Sequence, residues 1–146
     1  MYSFDSYVRY SEVGEDKNLT LNGIINYFQD CSTFQSEELK VGVRQLEAMH
    51  RVWVLSSWQI VIDRYPALCE KIHVSTWPYY FQGFCGYRNF TMTDQEGKLL
   101  AWANSLWSFL DTQTGRPARV PEEIVKCYEL EEKLDMKYAS RKVPMP

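Results

Sequence analysis

The sequence predicts an α+β domain in which a run of long strands wraps around one long helix. Two observations carry that expectation. The stretch Glu12–Leu39, EVGEDKNLTLNGIINYFQDCSTFQSEEL, opens with acidic and amide residues and continues into an apolar pattern of helical period. Leu21, Ile24, Ile25, Phe28, Cys31 and Phe34 fall on one face of that helix, which has about five turns. Nearly everything after Met49 reads as strand, rich in Val, Ile, Trp, Tyr and Phe and punctuated by turn residues.

The elements follow in order. Tyr2, Phe4, Ser6, Val8 and Tyr10 alternate with polar partners and predict an opening strand over Met1–Val13. Gly14–Asn18 is a polar loop. Asn18 or Thr20 can cap the helix, because either side chain can accept from the free N–H groups of the first turn. Gly42 can stop it, and Val43–His50 reads as a short second helical turn. Four strand-like runs come next. Arg51–Arg64 ends at Tyr65-Pro66. In Lys71–Tyr80, Pro78 marks an edge, a bulge or the strand's end. Gly86–Thr93 and Lys98–Leu110 are joined by a hairpin turn at Asp94-Gln95-Glu96-Gly97. Asp111–Pro117 is a turn, and Pro121 opens a short helix from a tolerated first position. From Glu129 the chain is charged.

Composition narrows the function. A length of 146 residues fits one domain with a respectable core. The aromatic content of 15% is high enough to line grooves for apolar ligands as well as to fill a core. A net charge of -3 argues against a nucleic-acid partner, which needs a basic field. No stretch approaches the roughly 20 apolar residues of a membrane span, and no basic segment followed by an apolar one signals secretion. Cys31, Cys69, Cys85 and Cys127 have no close pairing, and only His50 and His73 are available beside them, so no zinc site is expected. Reduced thiols in a cytoplasmic protein are the expectation.

Three blocks, RYSEVGEDKNLTLNGIINYFQD, VIDRYP and LWSFLDTQTGRPARVPEEI, resemble in order and spacing the N-terminal half of the acyl-acyl carrier protein thioesterases of plants and bacteria. The resemblance runs from about Val8 to Pro146. It implies the hotdog fold, a long helix wrapped by an antiparallel sheet of about five to six strands. It also implies a single domain over residues 1–128, with 129–146 a charged tail similar to the family's inter-domain linker. The implied activity is hydrolysis of an acyl thioester on acyl carrier protein, releasing a fatty acid, with no metal or organic cofactor. Members of that family carry two hotdog domains in tandem. The C-terminal one holds an Asp-x-Asn-x-His motif followed by further asparagines. A single hotdog covers its open edge or face by pairing, so a homodimer is expected to reproduce the tandem layout.

Because both halves of the family are hotdogs, that motif can be laid on the loop here, at Asp16-Lys17-Asn18-Leu19-Thr20-Leu21-Asn22. Asp16 takes the Asp position, Asn18 the Asn position and Asn22 that of a following Asn, while Thr20 stands where the family has His. A thioester carbonyl needs a base or nucleophile and a site for the oxyanion. The resemblance implies that Asp16 activates water or attacks directly and that Asn18 and Thr20 position the reacting group. N–H groups near Asn22 and Gly23, at the helix start, would hold the oxyanion. The plainer reading makes Asp16 and Asn18 ordinary loop and capping residues. Glu12 and Glu15 are the substitutes if the register is shifted. Cys31 with His50 or His73 is a further nucleophile pair, against which Cys31 lies on the apolar helix face.

Phe28, Trp58 and Trp107 are expected to line an apolar channel for the acyl chain, or else to be plain core. Arg116, Arg119, Arg141 and Lys142 are the candidate docking charges for an acidic carrier protein. The alternative from another class is a non-catalytic acyl-binding or scaffold hotdog that needs a separate catalytic domain or subunit.

Overall fold

Thr20 starts the long helix. Its backbone is extended and its side-chain oxygen accepts from the Gly23 N–H at 3.0 Å, so α1 runs over Leu21–Glu38. Of the two caps open in the sequence, Thr20 is the one used. The stop differs from expectation. Lys40, at φ 62°, turns the chain into the left-handed region, its N–H donating to Glu37 O and that of Val41 to Ser36 O. This is the two-bond closure usually built on glycine. Gly42 instead precedes α2, Val43–Ala48. A Cβ there would lie 2.2 Å from the Glu37 carboxylate, which accepts from the Val43 N–H.

The structure, a computed structural model, describes residues 1–138. Five strands form one antiparallel sheet in the order β1-β3-β4-β5-β2. They are β1 (Tyr2–Tyr7), β2 (Arg51–Ile62), β3 (Lys71–Gln82), β4 (Cys85–Thr93) and β5 (Leu99–Asp111). Pro78 marks a bulge, since the β3–β4 register shifts between Pro78 and Tyr80. The opening strand is shorter than Met1–Val13. The Tyr27 hydroxyl on α1 donates to Tyr7 O at 3.0 Å and accepts from the Arg9 N–H at 3.3 Å, and Tyr10–Glu12 then forms a 3-10 turn. A short helix, α3, covers Glu122–Val125.

The α1 face that meets the sheet is rotated from the one expected. Ile24, Tyr27, Phe28, Cys31, Ser32 and Gln35 are buried, while Leu21 and Phe34 remain 45% and 44% exposed. Phe34 packs on the edge strand β1, edge-on to Phe4 with ring centres 5.4 Å apart. The main core lies beneath the middle of α1. Phe28 stacks on Phe90 at 5.1 Å, with Val74, Met92 and Leu100 around them. A second cluster joins Leu46 of α2, Phe109 of β5, and Val120, Ile124 and Tyr128.

Residues 132–138 lie against the opposite face of the sheet. Arg88 and Phe90 of β4 point toward α1, so Asn89 points away. Asn89 Oδ1 accepts from the Leu134 N–H at 2.8 Å, and Trp77 Nε1 donates to Glu132 O at 3.0 Å. Arg141 and Lys142 lie outside the described residues.

Candidate active site

The polar loop ahead of α1 is a small hairpin. Val13 and Leu19 pair across it, and Gly14 N–H donates to Asn18 O at 3.0 Å. Lys17 turns the tip with φ 63°. The loop is tied to the β2–β3 connection by Leu19 N–H to Pro66 O and Leu68 N–H to Lys17 O, both at 2.8 Å. The Asp16 carboxylate accepts from the Asn18 N–H at 3.0 Å and from Asn18 Nδ2 at 3.4 Å. Asp16, Thr20 and Asn22 are exposed and Asn18 is half-buried. The motif residues are therefore together, on an open surface.

Thr20 is already engaged. Thr20 Oγ1 holds the Gly23 N–H and donates to Glu12 O at 3.4 Å. Of the N–H groups near Asn22 and Gly23 expected at an oxyanion, that of Gly23 is held by Thr20. Gly23 is instead a close-approach position, where a Cβ would lie 2.5 Å from Leu19 Cδ1 and 3.1 Å from Glu12 O. Of the substitute carboxylates, Glu12 packs at the helix start, within 3.4 Å of Asn26 Nδ2, while Glu15 is exposed.

Cys31 pairs with neither histidine. Cys31 is buried, with Val74 O at 3.7 Å and Tyr2 O at 3.8 Å. Burial pushes its thiol up to about 12; the Arg88 charge acts against that shift and Asp30 adds to it. His73 Nδ1 lies 2.7 Å from Asp5 Oδ1 on the sheet surface, and His50 is exposed at the α2–β2 turn. Among the described residues no three His, Cys, Asp or Glu side chains are grouped to hold a metal, and no helix is long and apolar enough to cross a membrane.

An apolar cavity of about 360 Å³ opens at the other end of α1. Its walls come from the last turns of α1, from α2 and from strands β2 to β5, with Tyr128 closing one side. Trp107 is among its lining residues. Phe28 and Trp58 are not; they belong to the main core, with ring centres 6.2 Å apart. Trp53, Phe81 and Leu46 line the cavity with Trp107.

The residue missed in the sequence is Arg88. It lines the cavity, yet it is only 8% exposed. Its Nη1 donates to Gln35 Oε1 at 2.5 Å and to Thr76 Oγ1 at 3.0 Å, and its guanidinium lies 5.5 Å from the Tyr128 ring centre. Both oxygen partners are neutral. Among the described residues no carboxylate pairs with it. Burial drives its pKa down, with Tyr128 and Cys31 acting in the other direction. A buried charge without a counter-ion costs several kcal/mol. The signal was present in the strand alternation, since Arg88 shares its parity with Phe90 and Met92 on the inward face.

The model of the acyl-ACP thioesterase N-terminal domain matches residues 1–128. A chloroplastic acyl-[acyl-carrier-protein] hydrolase of Cuphea viscosissima is 27% identical over 124 residues, covering 80% of this chain and 30% of that protein. The chain thus spans about a third of the length of such curated relatives. An acyl-ACP thioesterase structure from Bacteroides thetaiotaomicron superposes with a TM-score of 0.86 at 28% identity, over 98% of this chain and 59% of that one. A 1,4-dihydroxy-2-naphthoyl-CoA thioesterase of Synechocystis shares the fold, with a TM-score of 0.79 at 9% identity, over 86% of this chain and 93% of that one. The fold is the hotdog fold, and the chain belongs to the acyl-ACP thioesterase family, where it corresponds to the N-terminal domain.

Proposed function

We propose that this chain works in acyl thioester hydrolysis as the unit that holds the acyl chain, with acyl carrier protein delivering it. The apolar cavity walled by Trp53, Phe81, Leu46 and Trp107 carries this reading. Family membership supplies the class of ligand. Arg116 and Arg119 lie exposed on the segment after Thr112, which is part of the cavity wall, and offer positive charge to an acidic carrier.

The chemistry requires a second hotdog unit, either a second domain or a second copy of this chain. Leu21 and Ser36 are separated by about 22 Å of helix, so an acyl group in the cavity lies far from its own chain's Asp16. In a homodimer the second copy would bring Asp16 to the thioester. Its carboxylate would take a proton from water as the water oxygen bonds to the acyl carbon. The carbon–sulfur bond then breaks, and the thiol leaves with that proton.

The second reading, an acyl-binding unit with no chemistry of its own, is favoured by the exposure of Asp16 and by the engagement of Thr20 in the helix start. Incubating the full chain with decanoyl-ACP or decanoyl-CoA and following free thiol separates the two. Hydrolysis that falls at least a hundredfold in kcat in Asp16→Asn supports Asp16 as the base. Acyl binding with no hydrolysis leaves only the binding role. A chain that does neither would sink the proposal.

A further inference from the structure

The cavity has a polar requirement that an alkyl chain alone leaves unmet. Its mouth is set by exposed residues, among them Thr33, Val43, Glu47 and Thr112. Its floor is set by buried ones, Ser32, Gly86, Arg88 and Tyr128. The two arginines of the cavity differ. Arg51 is matched by Asp111 at 3.3 Å and donates to the carbonyls of Met49 and His50. Arg88, on the floor, has only neutral oxygen partners, both on Nη1. Among the described residues its Nε and Nη2 find no acceptor, and a guanidinium edge of that kind fits the two oxygens of a carboxylate.

We propose that the cavity is a site for an aliphatic carboxylate, bound with its charged end inward on Arg88 and its alkyl part along Trp53, Phe81, Leu46 and Trp107. This rests on the reading of the cavity as an acyl site. A volume of about 360 Å³, at about 30 Å³ per water-sized group, accommodates a carboxylate and about ten methylenes. An acyl chain entering methyl-first packs along the same apolar walls but leaves the guanidinium unmatched, so a chain that carries a carboxylate at its inner end is held more tightly. Two sources present the required chemistry. One is a free fatty acid entering carboxylate-first. The other is the far carboxylate of a dicarboxylic acid whose near end is the thioester, which would then sit at the mouth.

Calorimetric titration of the full chain at pH 8 with decanoate and with decan-1-ol tests this. Decanoate is expected to bind about ten to a hundred times more tightly than the alcohol. Arg88→Met removes the cation, and Gln35→Glu places a carboxylate against it. Each is expected to abolish the preference while decan-1-ol still binds, a result that also shows the fold is intact. A further comparison uses the N-acetylcysteamine monothioester of decanedioic acid against the decanoyl thioester. Tighter binding of the former identifies the distal carboxylate as the ligand; equal binding, with decanoate still preferred to the alcohol, identifies the free acid. Equal affinity for decanoate and decan-1-ol in the native chain overturns the carboxylate assignment and leaves the acyl cavity standing. So does a preference that survives both variants. Failure of both ligands to bind overturns the acyl-site reading as well.

Discussion

The two ends of α1 solve opposite problems. At its start, the polar groups of the Asp16–Asn22 loop face water and satisfy one another. Asp16 holds Asn18, and Thr20 holds Gly23 and Glu12. At its far end, Gln35 and Arg88 are buried beside an apolar cavity, and the cation meets only neutral oxygens. Residue types associated with chemistry are thus not, by themselves, where the fold stores unmet binding capacity. A carboxylate in water costs little, whereas a buried guanidinium is retained only against a substantial desolvation penalty. The end that looked plain in sequence carries the stronger demand for a ligand.

The sharpest way to break this contrast is to attack the wall between the two ends. Phe28 is fully buried and stacks on Phe90, while Trp107 lines the cavity. Phe28→Ala is expected to cost about 3–5 kcal/mol in denaturant unfolding, with decanoate affinity unchanged in the folded protein. Trp107→Ala is expected to lower decanoate affinity about tenfold with a smaller loss of stability. If Phe28→Ala weakened ligand binding instead, the cavity would extend along α1 toward the loop and the separation would fail.

The fold was legible because its signals are local. Strand-forming residues bounded by turn residues in Arg51–Arg64, Lys71–Tyr80, Gly86–Thr93 and Lys98–Leu110 placed four strands to within a few residues of their observed ends. Asn18 and Thr20, the two candidate caps, bracketed the helix start. What was missed depends on contacts distant in sequence. Tyr27 ends β1 by bonding to Tyr7 and Arg9, and no pattern within Met1–Val13 encodes that. Gln35 and Arg88 are 53 positions apart, and neither belongs to a short motif. The loop shows the converse: Asp16, Asn18 and Thr20 fit a motif by spacing, but spacing does not report that Thr20 is engaged by the helix.

Cys31 gives a second test of the sealed wall, through pH. Its thiol is pushed from 9.0 to about 12, chiefly by burial. The native chain therefore keeps a proton that the unfolded chain loses. The associated stability is fully present below pH 9 and declines as pH rises through the window to about 12. At pH 10.5 the decline is about 2 kcal/mol. Unfolding measured at pH 8 and 10.5 should show this difference, and Cys31→Ala should lack it against its own baseline. A native chain without that decline would mean that solvent reaches Cys31, and the middle of α1 would no longer divide loop from cavity.

The smallest expected effect addresses Thr20, whose two readings differ in what rescues its loss. As a helix cap, its contribution is one hydrogen bond to the Gly23 N–H, so Thr20→Ala should cost about 1 kcal/mol in unfolding. Thr20→Asp supplies an acceptor at the same place, and its negative charge is favourable at a helix start. If Thr20 acts only through the helix, Thr20→Asp should restore both stability and whatever hydrolysis the chain supports. If its hydroxyl positions the reacting group, Thr20→Asp should restore stability while kcat stays low, and only Thr20→Ser should restore both. That outcome would return chemistry to the loop and narrow the contrast between the two ends of α1 to a difference in burial alone.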